Sequence, residues 1–249
     1  MIATTEGAVL DVRDVTVRFG GNVALREVGL TAAPGAVTGL IGPNGAGKTT
    51  LFNVICGLQK PDHGSVRIGD RDVTRLLPYR RARAGLARTF QRLELFTLLS
   101  VRSNVRIAAV ADRRNRRDRS VDPDRVADEV LERVGLTGVA DARVDELPTG
   151  QARLVEVGRA LAARPRVLLL DEPAAGQDDA ETSVFAGLLR ELAGEGLTVV
   201  LVEHDVQLVL RVCDEVNVLD FGEMLATGSP EEIQRNDAVI AAYLGEGVS

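Results

Sequence analysis

The stretch Gly42-Pro43-Asn44-Gly45-Ala46-Gly47-Lys48-Thr49 spaces its glycines, lysine and hydroxyl residue as a phosphate-cradling loop does. It lies between an apolar run and a segment able to be helical. In such a loop successive backbone N–H groups turn toward nucleotide phosphates, the Lys48 ammonium reaches the β and γ phosphates, and the Thr49 hydroxyl reaches Mg²⁺. Thr50 completes the nucleotide-binding set. The chemistry indicated is that of ATP or GTP, with the nucleotide at the N-terminus of the helix that follows, where unpaired N–H groups face an anion.

Further along, Val167-Leu168-Leu169-Leu170 ends in Asp171-Glu172. Crossover connections bring the carboxyl ends of parallel strands to one edge of a sheet, so Asp171 is expected at the Mg²⁺ held by Thr49. Glu172 is then placed to hold or polarise the water that attacks the γ phosphate, since hydrolysis needs mainly positioning and charge stabilisation. A second apolar run, Thr198 to Val202, leads into Glu203-His204-Asp205, which puts His204 within reach of a γ phosphate. Gln91, after Ala87-Arg88-Thr89-Phe90, can contact either Mg²⁺ or the attacking water. Phe19 is either core filler or a stacking surface for a base. His63, within Pro61-Asp62-His63-Gly64, reads as a turn residue.

The elements that must position these groups are those of an α/β protein. Val9 to Phe19 alternates as an edge strand, Leu25 to Thr38 reads as a turn-broken strand region, and Val37 to Ile41 as a buried strand. Thr49 to Leu58 reads as a helix packing through Leu51, Phe52, Val54, Ile55 and Leu58. Val66 to Gly69 is a short strand. Helical spacing appears in Val101 to Val110 and Val126 to Leu136, separated by the arginine-rich run Ala111 to Ser120, which reads as a solvated loop, with electrostatic contact to a partner or lipid, or nucleic-acid binding, as the alternatives. Gln151 to Ala163, Ala180 to Leu192 and Val206 to Val212 read as helices alternating with strands at Val167–Leu170, Leu197–Val202 and Glu215–Leu219, the last with Glu223 to Thr227 as hairpin partner. The expected architecture is a phosphate-loop core with a mostly parallel sheet, an antiparallel β subdomain and an inserted helical lobe at about 80–150, all within one domain spanning 1–249.

With 249 residues the chain can bury a large core, and abundant Val, Leu, Ile and Ala compensate for the lack of tryptophan. A formal net charge of -6 argues against a nucleic-acid partner. Two cysteines in apolar segments, Cys56 and Cys213, point to a reduced compartment rather than a disulfide scaffold. No signal-peptide pattern opens the chain and no apolar run approaches the ~20 residues that span a bilayer, so a membrane role is expected to come through a partner.

With the phosphate loop, Gln91, Asp171-Glu172 and His204 in that order, the chain resembles the nucleotide-binding domain of ABC transporters over nearly its full length. The resemblance implies an ATP-hydrolysing subunit using Mg²⁺, with an adenine-stacking aromatic at Phe19, a Q-loop glutamine at Gln91, the Walker B pair at Asp171 and Glu172, a D-loop aspartate at Asp178 and a switch histidine at His204. It also implies a homodimer, or a heterodimer with a related ATP-binding subunit, driving transmembrane permease subunits fed by a solute-binding protein, on the cytoplasmic face of the cell membrane. Arg18-Phe19-Gly20-Gly21, Arg88-Thr89-Phe90-Gln91, Asp171 to Gly176 and the tail Ala241-Tyr243-Leu244-Gly245 are similar to the branched-chain amino-acid importer group.

Two stretches depart from the family pattern. Where Leu-Ser-Gly-Gly-Gln is usual, this chain has Leu147-Pro148-Thr149-Gly150-Gln151. Pro148 removes a serine hydroxyl expected at a partner's γ phosphate, and Thr149 is placed to restore a hydroxyl and also to cap the helix. Gln177 stands where leucine usually precedes the D-loop aspartate. A soluble ABC-type ATPase acting on ribosomes or in DNA repair, a nucleotide-gated binding module and a small-molecule kinase are the competing readings. The first lacks its usual duplicated domain or coiled coil, the second is disfavoured by Glu172 and His204, and the third leaves Gln91 and His204 unexplained.

Overall fold

A computed structural model describes residues 6–244; Gly245 of the tail motif lies outside the described residues. Two sheets organise the chain. The first is antiparallel and joins β1 (Leu10–Phe19), β2 (Asn22–Ala32), β4 (His63–Ile68) and β5 (Arg71–Asp72) in the order β2-β1-β4-β5. The second has six strands, adding β3 (Val37–Ile41), β6 (Leu86–Arg88), β7 (Val167–Asp171), β8 (Thr198–Val202), β9 (Glu215–Asp220) and β10 (Glu223–Gly228) in the order β10-β9-β3-β8-β7-β6. Only the β9–β10 hairpin is antiparallel in it. The expected architecture is present: a mostly parallel sheet, an antiparallel β subdomain and a helical lobe.

The central parallel strands β3, β7 and β8 are mostly apolar and buried along their whole length because both of their faces are covered. Along β7, Leu168 and Leu170 join the core shared with the helical lobe, while Val167 and Leu169 join the core shared with the antiparallel sheet. β8 divides in the same way, Val199 and Leu201 against Val200 and Val202. Helix α1 (Lys48–Cys56) lies in the second core, burying Leu51, Phe52, Val54 and Ile55, each contributing about 1.5–3 kcal/mol. Leu58, expected on that face, lies past the Gly57 cap and is exposed, because the left-handed glycine turns the chain out of the helix.

Several expectations give way to the tertiary structure. β1 is an interior strand, with β2 on one side and β4 on the other, not an edge. Its apolar spacing contains an extra residue, and a register shift between Val12 and Val15, with Asp14 at φ 51, returns Val15 to the buried face. His63 is the first residue of β4, paired with Thr16, rather than part of the turn. The arginine run is no loop through its first half. α3 (Val101–Arg116) continues into it, and Asp112, 8% exposed, accepts from Arg116 Nε and Arg164 Nε at 2.7 Å each.

The lobe itself is α3, α4 (Pro123–Arg133) and α5 (Thr149–Ala162). Val101, Val105 and Ala109 lie at four-residue spacing on α3 and are buried with Ala127, Val130 and Leu131 of α4. Gly158 of α5 fits between them, where an added Cβ would come within 3.2 Å of Val130 Cγ1. Leu86–Arg88, inside the span read as lobe, is instead the edge strand of the six-stranded sheet, preceded by the short helix α2 (Pro78–Arg83). The remaining helices are α6 (Asp179–Gly194), α7 (Val206–Val212), α8 (Pro230–Gln234) and α9 (Asp237–Leu244).

Candidate active site

The loop between β3 and α1 turns through three glycines of positive φ, Gly42, Gly45 and Gly47. At Gly42 (φ 151) an added Cβ would meet the Leu219 carbonyl at 2.0 Å, and at Gly47 (φ 109) it would meet Leu25 Cδ2 at 2.7 Å, so both positions exclude a side chain on two counts. Gly47 caps α1 with no side-chain hydrogen bond, and the first turn carries no acid, which leaves the helix start open to an anion. Lys48 is buried along its length and donates to the carbonyls of Gly42 and Pro43, the latter at 2.9 Å. These residues fit a polyphosphate.

A cleft of about 210 Å³ lies beside the loop, lined by Asn44 to Thr50 together with Gln91, Glu172 and His204. Glu172 is where the distant predicted residues meet. Its Oε2 accepts from Gln91 Nε2 at 3.0 Å and its Oε1 lies 2.6 Å from His204 Nε2. The residue sits just past β7 with φ 49, while its N–H bonds to the Val202 carbonyl at 2.9 Å. A non-glycine residue held in the left-handed region is costly, and surrounding structure must hold it there. Gln91, read as a ligand for Mg²⁺ or the attacking water, thus has its amide on a carboxylate.

Asp171 is 4% exposed and faces Arg88, whose Nη2 lies 2.8 Å from Asp171 Oδ2. Its backbone N–H donates to Thr89 Oγ1 at 3.1 Å. Among the described residues no group of three His, Cys, Asp or Glu side chains could hold a metal by itself. The Thr49 hydroxyl at the cleft and the buried Asp171 carboxylate are a donor set that would fit Mg²⁺, an ion that retains several waters and binds substrate phosphates.

The other predicted residues lie outside the cleft's lining. Phe19 ends β1, half exposed. Asp178 caps α6 in a reciprocal box with Glu181, accepting from the Glu181 N–H at 2.8 Å while Glu181 Oε2 accepts from the Asp178 N–H at 3.1 Å. Thr149 does not cap α5: Pro148 occupies the cap position without a side-chain bond, and Thr149 is the first helical residue. Gly150 lies against the Glu181 carboxylate, where a Cβ would approach Oε2 to 2.9 Å, and Gln151 follows in the same turn.

Sequence reasoning missed Arg88 and Glu203. The signal for Arg88 was available: a cation directly after Leu86-Ala87, in a segment able to pair with β7. Glu203 is 5% exposed, accepting from the Ala174 N–H at 2.8 Å and the His204 N–H at 3.2 Å, and so ties the loop after Glu172 to the histidine. Burial, with the Glu172 charge adding to it, lifts the Glu203 carboxyl above its ordinary value of 4.5. The folded protein therefore keeps this proton to higher pH than the unfolded chain. The associated stability is fully present below 4.5 and is lost as pH rises through the folded value. Glu203→Gln removes this loss, so the slope of melting temperature against pH, from that value to neutrality, is shallower in the variant. An unchanged slope would show that Glu203 is ionised as freely in the folded as in the unfolded state.

The fold and this site define a phosphate-loop ATPase. Residues 25–175 match the ABC transporter family, and residues 223–249 match the branched-chain amino acid ATP-binding cassette transporter family. The high-affinity branched-chain amino acid transport ATP-binding protein BraF of Pseudomonas aeruginosa is 38% identical over 254 residues, covering 96% of this chain and 98% of the relative. The ADP conformation of MJ1267, an ATP-binding cassette of an ABC transporter, superposes with a TM-score of 0.85 at 29% identity, covering 96% of this chain and 99% of that one. A dimeric post-hydrolysis state of the cassette MJ0796 bound to ADP and Pi superposes at 0.78 with 28% identity, covering 89% and 98%. This chain belongs to the ABC transporter family, as an ATP-binding cassette and ATPase.

Proposed function

We propose that this chain is the ATP-hydrolysing subunit of an importer for branched-chain amino acids, acting through separate permease subunits at the inner face of the cell membrane. The observation that carries the mechanistic part is the convergence of Gln91 and His204 on the Glu172 carboxylate beside the phosphate loop. The substrate class rests on the match of residues 223–249 and on BraF.

Loop N–H groups and Lys48 bind the β and γ phosphates of ATP, and Phe19 stacks on adenine. Glu172 orients the attacking water and accepts its proton, with His204 and Gln91 fixing the carboxylate until substrate arrives. Thr49 and Asp171, with Gln91 nearby, would hold Mg²⁺, which would supply charge neutralisation at the phosphates. Positions 149–151 and Asp178 lie outside the cleft of their own chain and complete the site of a facing cassette, so the working unit is a dimer. MJ0796 supports that arrangement as a dimeric cassette with ADP and Pi.

A mostly apolar groove of about 430 Å³ between lobe and core, lined by Pro78, Ala82, Phe96, Ile107, Ala108 and Ala111 among others, receives a permease segment. Among the described residues no helix is long and apolar enough to cross a membrane. Upstream, a solute-binding protein delivers the amino acid.

Co-purification with the permease, followed by turnover measurements, tests the assignment: leucine, isoleucine or valine with its binding protein raises ATP turnover, and equal stimulation by unrelated solutes would overturn it. For the isolated chain, specific activity rises with protein concentration at the dilute end because two chains share each site. A constant specific activity in a monomeric sample would exclude shared sites.

A further inference from the structure

Arg88 lies outside the lining of the cleft, yet its guanidinium bonds to three segments around it. Its Nη2 donates to Asp171 Oδ2 at 2.8 Å, its Nη1 to Asn53 Oδ1 at 2.7 Å and its Nε to the Thr89 carbonyl at 3.2 Å. The guanidinium lies 5.5 Å from the Phe52 ring centre and 4.9 Å from that of Phe90. Its side chain is 7% exposed and that of Asp171 is 5% exposed. One planar cation thus joins the end of β7, the helix that starts at the phosphate loop, and the segment carrying Gln91. That segment is in turn held by α5, since Arg153 donates to the Phe90 carbonyl at 2.9 Å and to the Gln91 carbonyl.

A buried ion pair is weak support for stability alone, because desolvation offsets much of the attraction. Here the fork geometry does something a generic pair does not: Oδ2 of Asp171 is pinned at a fixed distance from α1, which fixes where the other carboxylate oxygen is presented. We infer that Arg88 is a positioning residue for the divalent cation, orienting Asp171 against the phosphate-loop helix and linking that orientation to the Gln91 segment and the lobe. The inference rests on Asp171 facing Mg²⁺ in the proposed mechanism. Lysine keeps the charge and loses the fork, so it separates charge from orientation.

A fluorescent ATP analogue titrated with Mg²⁺ at fixed nucleotide reads cation dependence without turnover. Arg88→Lys raises the Mg²⁺ concentration for half-maximal binding on the order of tenfold, the lower end of what outer-shell partners contribute to metal affinity. Binding in excess chelator stays at the parent level. Asn53→Ala, which removes the anchor on α1 and leaves both charges in place, shifts the midpoint the same way by less, and it carries the test if the lysine variant does not fold. A folded Arg88→Lys protein with the parent midpoint overturns the role of Arg88. Asp171→Asn separates the two readings: if it abolishes Mg²⁺ dependence while Arg88→Lys does not move it, only the positioning role fails, and if the parent binds the analogue without regard to Mg²⁺, both fail.

Discussion

Glu172→Gln lowers steady-state ATP turnover by about 10²–10⁴-fold, the range a positioned general base contributes, while nucleotide affinity stays near that of the parent. The variant preserves side-chain size at a position where φ is 49, so the local backbone conformation survives. Gln91 Nε2, now 3.0 Å from Oε2, still finds an amide oxygen to bond. What disappears is the proton acceptor. Chemistry becomes slow relative to binding, and an ATP-held dimer accumulates, visible as a nucleotide-dependent shift in size-exclusion elution. Turnover within a few-fold of the parent would remove Glu172 from the reaction and leave His204 to be tested as the base.

Lys48→Ala acts on a different step. A hydrogen bond to a charged group contributes about 1.5–3 kcal/mol, so loss of the ammonium weakens binding of ATP by about one to two orders of magnitude. Equilibrium titration checks it, with ADP and AMP alongside: the loss is largest for ATP and vanishes for AMP if Lys48 reaches only the β and γ phosphates. Lys48 also donates to the carbonyls of Gly42 and Pro43, and the substitution unties part of the loop from within. A loss equal for all three nucleotides would mean that loop collapse, and not phosphate contact, is what the variant reports. Together the two substitutions separate binding from water activation, since the first slows turnover at near-parental affinity and the second weakens affinity itself.

The family motifs were legible because each is a contiguous run whose chemistry is local. A phosphate loop needs successive N–H groups and glycines within eight positions, and the strands before Asp171 and His204 are apolar in unbroken runs because the sheet is covered on both faces. The alternating order of strands and helices then leaves few topologies open. Helix boundaries were less legible. α3 extends through Arg116 against the polar composition of its last turns, because Asp112 is neutralised by Arg116 and by Arg164 from beyond α5. No window of sequence around Asp112 contains Arg164.

By itself the sequence determined the phosphate loop, the carboxylate-ended strand, the histidine after the next strand, and the altered Leu147-Pro148-Thr149-Gly150-Gln151 stretch. Only the tertiary structure decided that Gln91 and His204 share one carboxylate, that β1 is an interior strand, and that Thr149 begins its helix without capping it. It alone brought Arg88 to Asp171 and Glu203 to the loop after Glu172. The physical reason is separation along the chain. Gln91 and Glu172 lie 81 positions apart, and Arg88 and Asp171 lie 83 apart. Periodicity and local motif report which face a residue occupies, whereas the choice of partner is made when β6 docks in parallel on β7, a pairing that three residues of edge strand barely announce.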